Sequence, residues 1–272
     1  MGSMTDRHEV ARALTTKFDH FSVEFVERVA VLRIDRPDKL NAIAPVFWSQ
    51  LRGLIGEFEQ DEEVRAVVIT GAGDVAFSAG GDLAAFGEDA GIRERRDYMI
   101  DAMKGFAAVE NASLPIIAAV NGWALGGGCE LTMACDFVIA SETAQFGMPE
   151  AGVGLVPGFG ILRAPSIIGR QWTKYMVFAN VRIDAGQAFT LGMVQKVVPQ
   201  EELLTSALDI AARVTEQAPL ALSVGKEVIG RGVDSGEFSH AVDALTVLFS
   251  THDLVEGVTA FAERRAPRFE GR

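Results

Sequence analysis

Short apolar runs that end at glycine-bearing turns recur between residues 64 and 140, and they constrain the fold more than any other feature. Three such runs, residues 64–70, 115–120 and 136–140, are rich in β-branched and apolar side chains and predict buried strands. Turns and stretches with helical spacing separate them. This repetition of strand, turn and helix predicts an α/β fold of stacked β–β–α units rather than a doubly wound sheet.

The remaining elements follow from local signals. Residues 21–26 and 29–34 form an alternating apolar pattern interrupted by Glu27 and Arg28, which predicts a β-hairpin. Apolar residues three or four apart predict helices over residues 45–59, 88–110 and 126–134, and over residues 201–217, 220–230, 238–249 and 253–265.

The predicted elements divide the chain without a low-complexity linker. Residues 1–3 look like an expression-tag remnant, with Met4 as the natural start. Residues 4–198 are predicted to form the β–β–α core that carries the functional site. Residues 199–272 are predicted to be a C-terminal helical region of the same folded unit.

Composition excludes several function classes. The net charge of −12 opposes binding to nucleic acid or to anionic membranes, but it leaves room for an anionic ligand at a local basic patch. No apolar stretch reaches the roughly 20 residues that span a bilayer, and no signal peptide is evident. The two cysteines, Cys129 and Cys135, make neither a disulfide framework nor a zinc site, so we expect a reducing, cytoplasmic location.

Two glutamates follow glycine-bearing segments and are the candidate catalytic residues. Glu130 ends the run Gly-Gly-Gly-Cys-Glu, and Glu150 ends the run Gln-Phe-Gly-Met-Pro-Glu. A glycine run before a helix leaves N–H groups unpaired at the positive end of the helix dipole. A second glycine pair, Gly80 and Gly81, lies upstream. Backbone donors and two carboxyl groups together suit a reaction that stabilises an oxyanion and moves protons.

Each of these residues also has a structural interpretation. The run 126–128 could be a plain tight turn, and Asp82 could be a helix N-cap. Glu130 could lie on an exposed helix face, although its apolar neighbours predict a raised pKa. Glu150 could be an N-cap or belong to an ion pair. The combination of two glutamates with two glycine turns favours the functional interpretation.

Five segments of the chain resemble the enoyl-CoA hydratase/isomerase (crotonase) superfamily. They are residues 36–42, 64–71, 77–83, 115–136 and 146–158, with further similarity at residues 191–194 and 256–269. The block that ends in Gly-Gly-Gly-Cys-Glu130 is the most specific of them. The resemblance implies a crotonase-like spiral of β–β–α units, an acyl-CoA ligand, and a C-terminal region that acts as a lid and in oligomerisation.

The resemblance also implies site residues. Gly81 and Gly127 match the oxyanion-hole positions, and Glu130 and Glu150 match both acidic positions of the hydratases. Hydration of a 2-enoyl-CoA to a 3-hydroxyacyl-CoA is therefore expected. A double-bond isomerase using one glutamate, an acyl-CoA hydrolase and a non-catalytic acyl-CoA-binding member are the alternatives.

Further expectations concern ligands and assembly. No metal or redox cofactor is expected, since coenzyme A enters as part of the substrate. A homotrimer or a dimer of trimers is implied. Surface charge or core packing are the alternative roles for Lys39, Arg264 and Phe261. The residues expected to contact substrate or coenzyme A are Lys39, Leu40, Ala79, Asp82, Leu83, Gly158, Phe261 and Arg264.

One loop departs from the family pattern. After Pro157 and Gly158 the chain is one residue shorter than the hydratases, has lost the second glycine of their Gly-Gly pair, and carries Phe159. This loop is expected to border the acyl pocket, with Phe159, Ile161 and Leu162 making it more apolar and favouring a bulky, branched or cyclic acyl group. The alternative is that Phe159 points into the core.

Overall fold

The computed structural model describes residues 4–82, 92–231 and 251–272. Its strands form a six-stranded sheet in the order β1-β2-β3-β5-β7-β10 and a four-stranded sheet in the order β4-β6-β8-β9. The strands are β1 Phe21–Val26, β2 Val29–Ile34, β3 Ala66–Gly71, β4 Ala76–Ser78, β5 Ile116–Val120, β6 Trp123–Leu125, β7 Phe137–Ser141, β8 Gln145–Gly147, β9 Ile183–Asp184 and β10 Lys196–Val198.

Helices follow the strands and dominate the C-terminal part. Within the described ranges, no helix has both the length and the apolar character needed to cross a bilayer. The helices are α1 Met4–Lys17, α2 Phe47–Gln60, α3 Ile92–Glu110, α4 Gly127–Ala134, α5 Gly160–Ile167, α6 Gly169–Phe178, α7 Ala185–Thr190, α8 Leu203–Thr215, α9 Pro219–Arg231 and α10 His252–Glu263.

Successive β–β–α units build both sheets. In the units β3-β4-α3, β5-β6-α4 and β7-β8-α5, the first strand joins the large sheet and the second joins the small sheet. Neighbouring first strands pair in parallel, and so do neighbouring second strands. The repeat predicted from the sequence is present in this order.

Most element predictions agree with the structure to within a few residues. The hairpin β1–β2 matches residue for residue, with Glu27 at positive φ in its turn. The strand predicted from residue 64 begins at Ala66, and the helix predicted from Pro45 begins at Phe47. Helix α1 was not predicted, because its sequence is mostly polar. The helix predicted over residues 238–249 lies outside the described residues.

The large sheet is covered on both faces. Along β5, Ile116, Ala118 and Val120 pack into one core cluster, while Ile117 and Ala119 pack into a second. The second cluster includes buried residues of α8, and the first includes those of α2 and α3. Burial of both faces explains why the predicted strands are continuous apolar runs rather than alternating ones.

Asn41 fastens the chain after β2 to the segments that lead into the site. Its side chain is buried, and its backbone is left-handed with a φ of 56°. The Arg36 N–H donates to its Oδ1 at 3.0 Å. Its Nδ2 donates to the carbonyl oxygens of Ala72 at 3.0 Å and of Ala76 at 2.7 Å. Asn tolerates this conformation better than other non-glycine residues.

Replacing Asn41 with Ala should therefore lower the free energy of unfolding by about 4 kcal/mol. Each lost buried hydrogen bond costs roughly 1 kcal/mol and the left-handed backbone adds about 1 kcal/mol. Urea denaturation at fixed protein concentration measures the change. The control is Asn111→Ala, since the exposed Asn111 lies just after α3 and its amide donates to Ala107 O of that helix. A loss for Asn41→Ala no larger than that of the control would contradict this role.

Candidate active site

A cavity of about 120 Å³ lies where the ends of three parallel strands meet. Strands β4, β6 and β8 run side by side, so their carboxyl ends point to the same edge of the small sheet. The turns that follow them bring Gly81, Gly127 and Glu150 to the cavity, and α4 adds Glu130. The four residues predicted as catalytic or oxyanion-binding thus line one cavity. Its other lining residues are Ile43, Trp48, Tyr98, Met99, Ala102, Phe106, Val153, Leu155, Val156 and Gly158.

The first two turns approach so closely that only glycine fits at their contact. A Cβ on Gly80 would lie 2.7 Å from Leu125 O and 3.4 Å from the Gly127 nitrogen. Gly126 has a φ of 51°, and its N–H donates to Gly147 O at 2.9 Å. These glycines are therefore required for backbone contact and conformation.

The backbone N–H groups of Gly81 and Gly127 are placed to meet a ligand. Ile43 N–H donates to Gly80 O at 2.8 Å, and Asp82 N–H donates to Ile43 O at 2.9 Å. The N–H of Gly81, between these two bonded groups, therefore faces away from Ile43. Gly127 is the first residue of α4, where helical N–H groups have no acceptor within the helix. Both residues line the cavity.

Glu130 is buried and held by main-chain donors. Its side chain lies one turn into α4 and is 5% exposed. The N–H groups of Phe159 and Gly160 both donate to its Oε1 at 2.7 Å. Burial raises the pKa of Glu130, while these two hydrogen bonds oppose the rise because they favour the carboxylate. The prediction of a raised pKa is confirmed, and the exposed-face alternative is wrong.

Glu150 is half-buried and has less support than Glu130. It lies in the short 3₁₀ helix Pro149–Val153. Burial raises its pKa to about 7; its own main-chain N–H opposes the rise, and the charge of Glu130 adds to it. Its Oε2 is buried and has no hydrogen-bond partner in the part of the chain that the structure describes. A buried polar atom without a partner is costly and uncommon, which favours a functional role over a capping role.

The two carboxyl groups therefore differ in their environment although they share a cavity. Glu130 accepts two N–H bonds that stabilise its ionised form. Glu150 is more readily protonated near neutral pH. Two acids whose surroundings separate their protonation states are suited to act as a base and an acid.

Two aromatic residues of the cavity wall were not identified from the sequence. Trp48 of α2 is fully buried, and its Nε1 donates to Tyr98 Oη of α3 at 3.4 Å. Burial also raises the pKa of Tyr98, which keeps its phenol neutral. Trp48 lies within the helix predicted over residues 45–59, but no sequence signal showed that it borders a ligand cavity.

The expectation that Phe159 borders the pocket is wrong. Its ring is 2% exposed and stacks on Phe106, with 4.7 Å between ring centroids and 20° between planes. Phe106 and Gly158 line the cavity, whereas Phe159 packs behind Phe106. Ile161 and Leu162 are exposed and do not line it either. The alternative, a core position for Phe159, describes the structure, and the argument for a bulky acyl group loses its basis.

The residues expected to bind coenzyme A lie in different places. Gly158 lines the cavity. Ala79 N–H donates to Leu40 O at 2.9 Å, which puts both beside the first turn. Arg36 donates to the Asp82 carboxylate at 3.1 Å, so Asp82 forms an ion pair there.

The other candidates for coenzyme A contact stay predictions. Lys39 and Arg264 are exposed. Leu83 lies outside the described residues. Phe261 belongs to α10, but its side chain also lies outside what the structure describes.

The described residues include no group of three or more histidine, cysteine, aspartate or glutamate side chains that could hold a metal ion. Cys129 and Cys135 are free thiols, and both are buried, as expected for small core residues. Burial raises the pKa of both, which keeps them in the unreactive thiol form.

Comparison with known proteins identifies relatives along nearly the whole chain. The family model described as enoyl-CoA hydratase/isomerase matches residues 24–272. A crotonyl-CoA hydratase from Syntrophomonas wolfei is 38% identical over 256 residues, which are 93% of this chain and 98% of that protein. A short-chain-enoyl-CoA hydratase from Clostridium acetobutylicum is 41% identical over 242 residues, which are 88% of this chain and 92% of that protein.

Solved structures agree with this result. The crystal structure of an enoyl-CoA hydratase from Bacillus anthracis has a TM-score of 0.88 and 32% identity to this chain. The match covers 93% of this chain and 100% of that chain. The predicted spiral of β–β–α units with C-terminal helices is confirmed by this similarity.

The partial burial of the Glu150 carboxyl group predicts a pH-dependent cost in stability. An acid whose pKa rises from its ordinary 4.5 to about 7 on folding binds its proton more tightly in the folded state. Stability is therefore lost as pH rises from about 4.5 to about 7. Glu150→Gln removes the charge and should raise the free energy of unfolding by about 1–3 kcal/mol at pH 8. This range starts from ~1.4 kcal/mol per pKa unit and is reduced because the side chain is partly exposed.

Urea denaturation at pH 5 and pH 8 measures this effect. At pH 5 the variant and the parent should differ little, since the Glu150 carboxyl is mostly protonated in the folded protein. Glu142→Gln is the control, because Glu142 is exposed. An equal difference at both pH values would show that Glu150 carries no buried charge.

Proposed function

The chain belongs to the enoyl-CoA hydratase/isomerase family, and from this membership and its cavity we propose that it adds water across the double bond of a 2-enoyl-CoA thioester. The product is a 3-hydroxyacyl-CoA. The family and the hydro-lyase class predicted from the sequence are confirmed by relatives that are hydratases by name. The observation that carries the reaction proposal is one cavity lined by the two glutamate residues and by glycines of two turns.

The thioester oxygen binds between the N–H groups of Gly81 and Gly127. Attack of water at C3 moves electrons toward this oxygen and builds an enolate-like charge. Donors that are fixed before the reaction stabilise such a charge without reorganising, and loss of one typically costs about 10²–10³-fold in rate. Support for this role comes from the position of Gly127 at a helix N-terminus and of Gly81 at the end of β4.

Glu130 acts as the base and Glu150 as the acid in the hydration direction. The two N–H groups that donate to Oε1 favour the carboxylate form of Glu130. This carboxylate accepts a proton from water while the water oxygen bonds to C3. Glu150, with a pKa of about 7, supplies the proton that bonds to C2. The pair carries one proton before and after the step, because the proton lost by Glu150 is matched by the one gained by Glu130.

The alternatives explain the site less well. An isomerase that moves one proton between two carbons needs one carboxyl group, whereas this cavity has two. A non-catalytic acyl-CoA binder has no use for Glu150, whose Oε2 is buried without a hydrogen-bond partner among the described residues. A hydrolase on the same scaffold is the third alternative, and release of free coenzyme A from the substrate would identify it.

Glu130→Gln and Glu150→Gln should each lower kcat for crotonyl-CoA hydration by at least ~10²-fold, the usual range for general acid or base groups. Affinity for a saturated acyl-CoA should change little, because the amide keeps the shape of the side chain. Loss of the enoyl thioester absorbance measures the rate, and calorimetry measures the affinity. Glu142→Gln is again the exposed control.

The pH profile distinguishes the roles of the two acids. Since hydration and dehydration both need one proton on the pair, kcat/KM in both directions should fall above about pH 7, where Glu150 loses its proton. Glu150→Gln should remove this decline from its residual activity. Full activity in either glutamine variant would exclude the two-carboxyl mechanism, and loss in Glu150→Gln alone would favour the isomerase.

Other parts of the proposal concern ligands and location. Coenzyme A enters as part of the substrate, and no metal or redox cofactor takes part. Lys39 and Arg264 bind its phosphates through their positively charged side chains. A cytoplasmic location is consistent with the two free thiols, Cys129 and Cys135.

The protein is also proposed to form a homotrimer or a dimer of trimers, with residues 199–272 serving as lid and assembly region. Large apolar side chains on these helices are exposed in the single chain, including Ile229 at 84% and Val255 at 63%. Such exposure is typical of residues that a partner covers. Sedimentation should give three or six times the mass of 29.2 kDa. A stable monomer at micromolar concentration would contradict this assembly.

A further inference from the structure

The inner side of the cavity is made by aromatic residues of two helices. Trp48 of α2 and Phe106 of α3 both line it, with their ring centroids 4.3 Å apart. Ala102, one turn before Phe106, adds a small apolar side chain. Behind Phe106 lies the stacked ring of Phe159, which belongs to the loop that departs from the family pattern. We name Trp48, Phe106 and Phe159 the aromatic wall.

The aromatic wall is packed too tightly to give way. Trp48 is 1% exposed and Phe106 and Phe159 are each 2% exposed. Phe47 meets the Trp48 ring edge-on at 5.0 Å. A Cβ on Gly105 would lie only 2.5 Å from Trp48 Cε3, so α3 contacts the indole directly. Moving these rings would require the core around them to move, since protein interiors have few voids.

The space in front of the aromatic wall is small. Its volume of about 120 Å³ is well below the roughly 300–1,000 Å³ of typical ligand pockets. Reactive carbons C2 and C3 must lie in it beside Glu130 and Glu150, so only a short remainder of the acyl group fits. We propose that the aromatic wall limits the substrate to short, unbranched 2-enoyl groups. This inference rests on the proposed function.

A second route for the acyl tail leads outward. Met99, Val153, Leu155 and Val156 also line the cavity, and each is 43–60% exposed. A long tail leaving by this route would avoid the aromatic wall. It would stay largely in water within the described structure, and so it would gain less from apolar contact than a chain enclosed by Trp48 and Phe106. The two routes predict opposite effects of chain length.

The experiment measures kcat/KM of the purified enzyme for trans-2-enoyl-CoAs of four, six, eight and ten carbons. The parent enzyme should prefer the four-carbon substrate over the eight-carbon one by at least ~10-fold, since even one methylene in a fixed apolar pocket is worth about 10–200-fold. Phe106→Ala should raise the ratio of eight-carbon to four-carbon kcat/KM by at least ~10-fold. Phe106→Leu, which keeps more of the packing, should raise it less, and so should Phe159→Leu.

A matched control separates pocket shape from general damage to the core. Phe58 of α2 is 1% exposed and packs edge-on to Phe25 at 6.2 Å, and it does not line the cavity. Phe58→Leu should lower the melting temperature without changing the ratio. A parent enzyme that hydrates all four lengths equally well, or folded Phe106 variants with an unchanged ratio, would overturn the proposal and favour the outward route.

A binding measurement keeps the result independent of the reaction. If the parent enzyme hydrates no enoyl-CoA, the proposed function fails, but the aromatic wall can still be tested with saturated butanoyl-, hexanoyl- and octanoyl-CoA by calorimetry. Tighter binding of butanoyl-CoA, with octanoyl-CoA gaining at least ~10-fold in Phe106→Leu, supports the limit on chain length. Equal affinities for the three ligands, unchanged in the variant, overturn it.

Discussion

Close contact between the turns that follow β4 and β6 is the constraint on which the site depends. A Cβ on Gly128 would lie 2.4 Å from Ser78 O, and one on Gly80 would lie 2.7 Å from Leu125 O. Backbones at this distance exclude side chains, and so both turns present main-chain N–H groups to the cavity. The parallel pairing of β4, β6 and β8 then brings Glu150 to the same edge. The proposed oxyanion donors and the positions of the carboxyl groups are thus consequences of one packing arrangement.

The same arrangement carries an electrostatic cost. Glu150 is half-buried near Glu130, and its buried Oε2 has no hydrogen-bond partner among the described residues. A structural carboxylate would be paired, because an unpaired buried charge destabilises the folded state. The N–H groups of Phe159 and Gly160 relieve this cost for Glu130 only. The asymmetry favours a proton on Glu150 over one on Glu130, as the proposed addition of water requires.

Sequence reasoning predicted the features that are local or periodic. The hairpin β1–β2, the β–β–α repeat and the helix starting at Gly127 follow from apolar spacing and glycine positions, and the structure has all of them. The quoted motifs located Gly81, Gly127, Glu130 and Glu150, which line one cavity. Trp48, Tyr98 and Phe106 were missed because a buried aromatic residue has the same helical pattern whether it faces a cavity or the core. Long-range packing alone decides between the two.

Phe159 shows how such packing changes an interpretation. Its position after Gly158 indicated a pocket residue, but the turn directs its ring behind Phe106. Its backbone points the other way, and its N–H holds the Glu130 carboxylate. A Cβ on the next residue, Gly160, would lie 3.3 Å from Glu130 Cγ, so this loop packs closely against the Glu130 side chain as well as against Phe106. One turn therefore positions both the Phe159 ring behind Phe106 and the N–H donors to Glu130, and a change in this loop that deepened the pocket would also displace the proposed base.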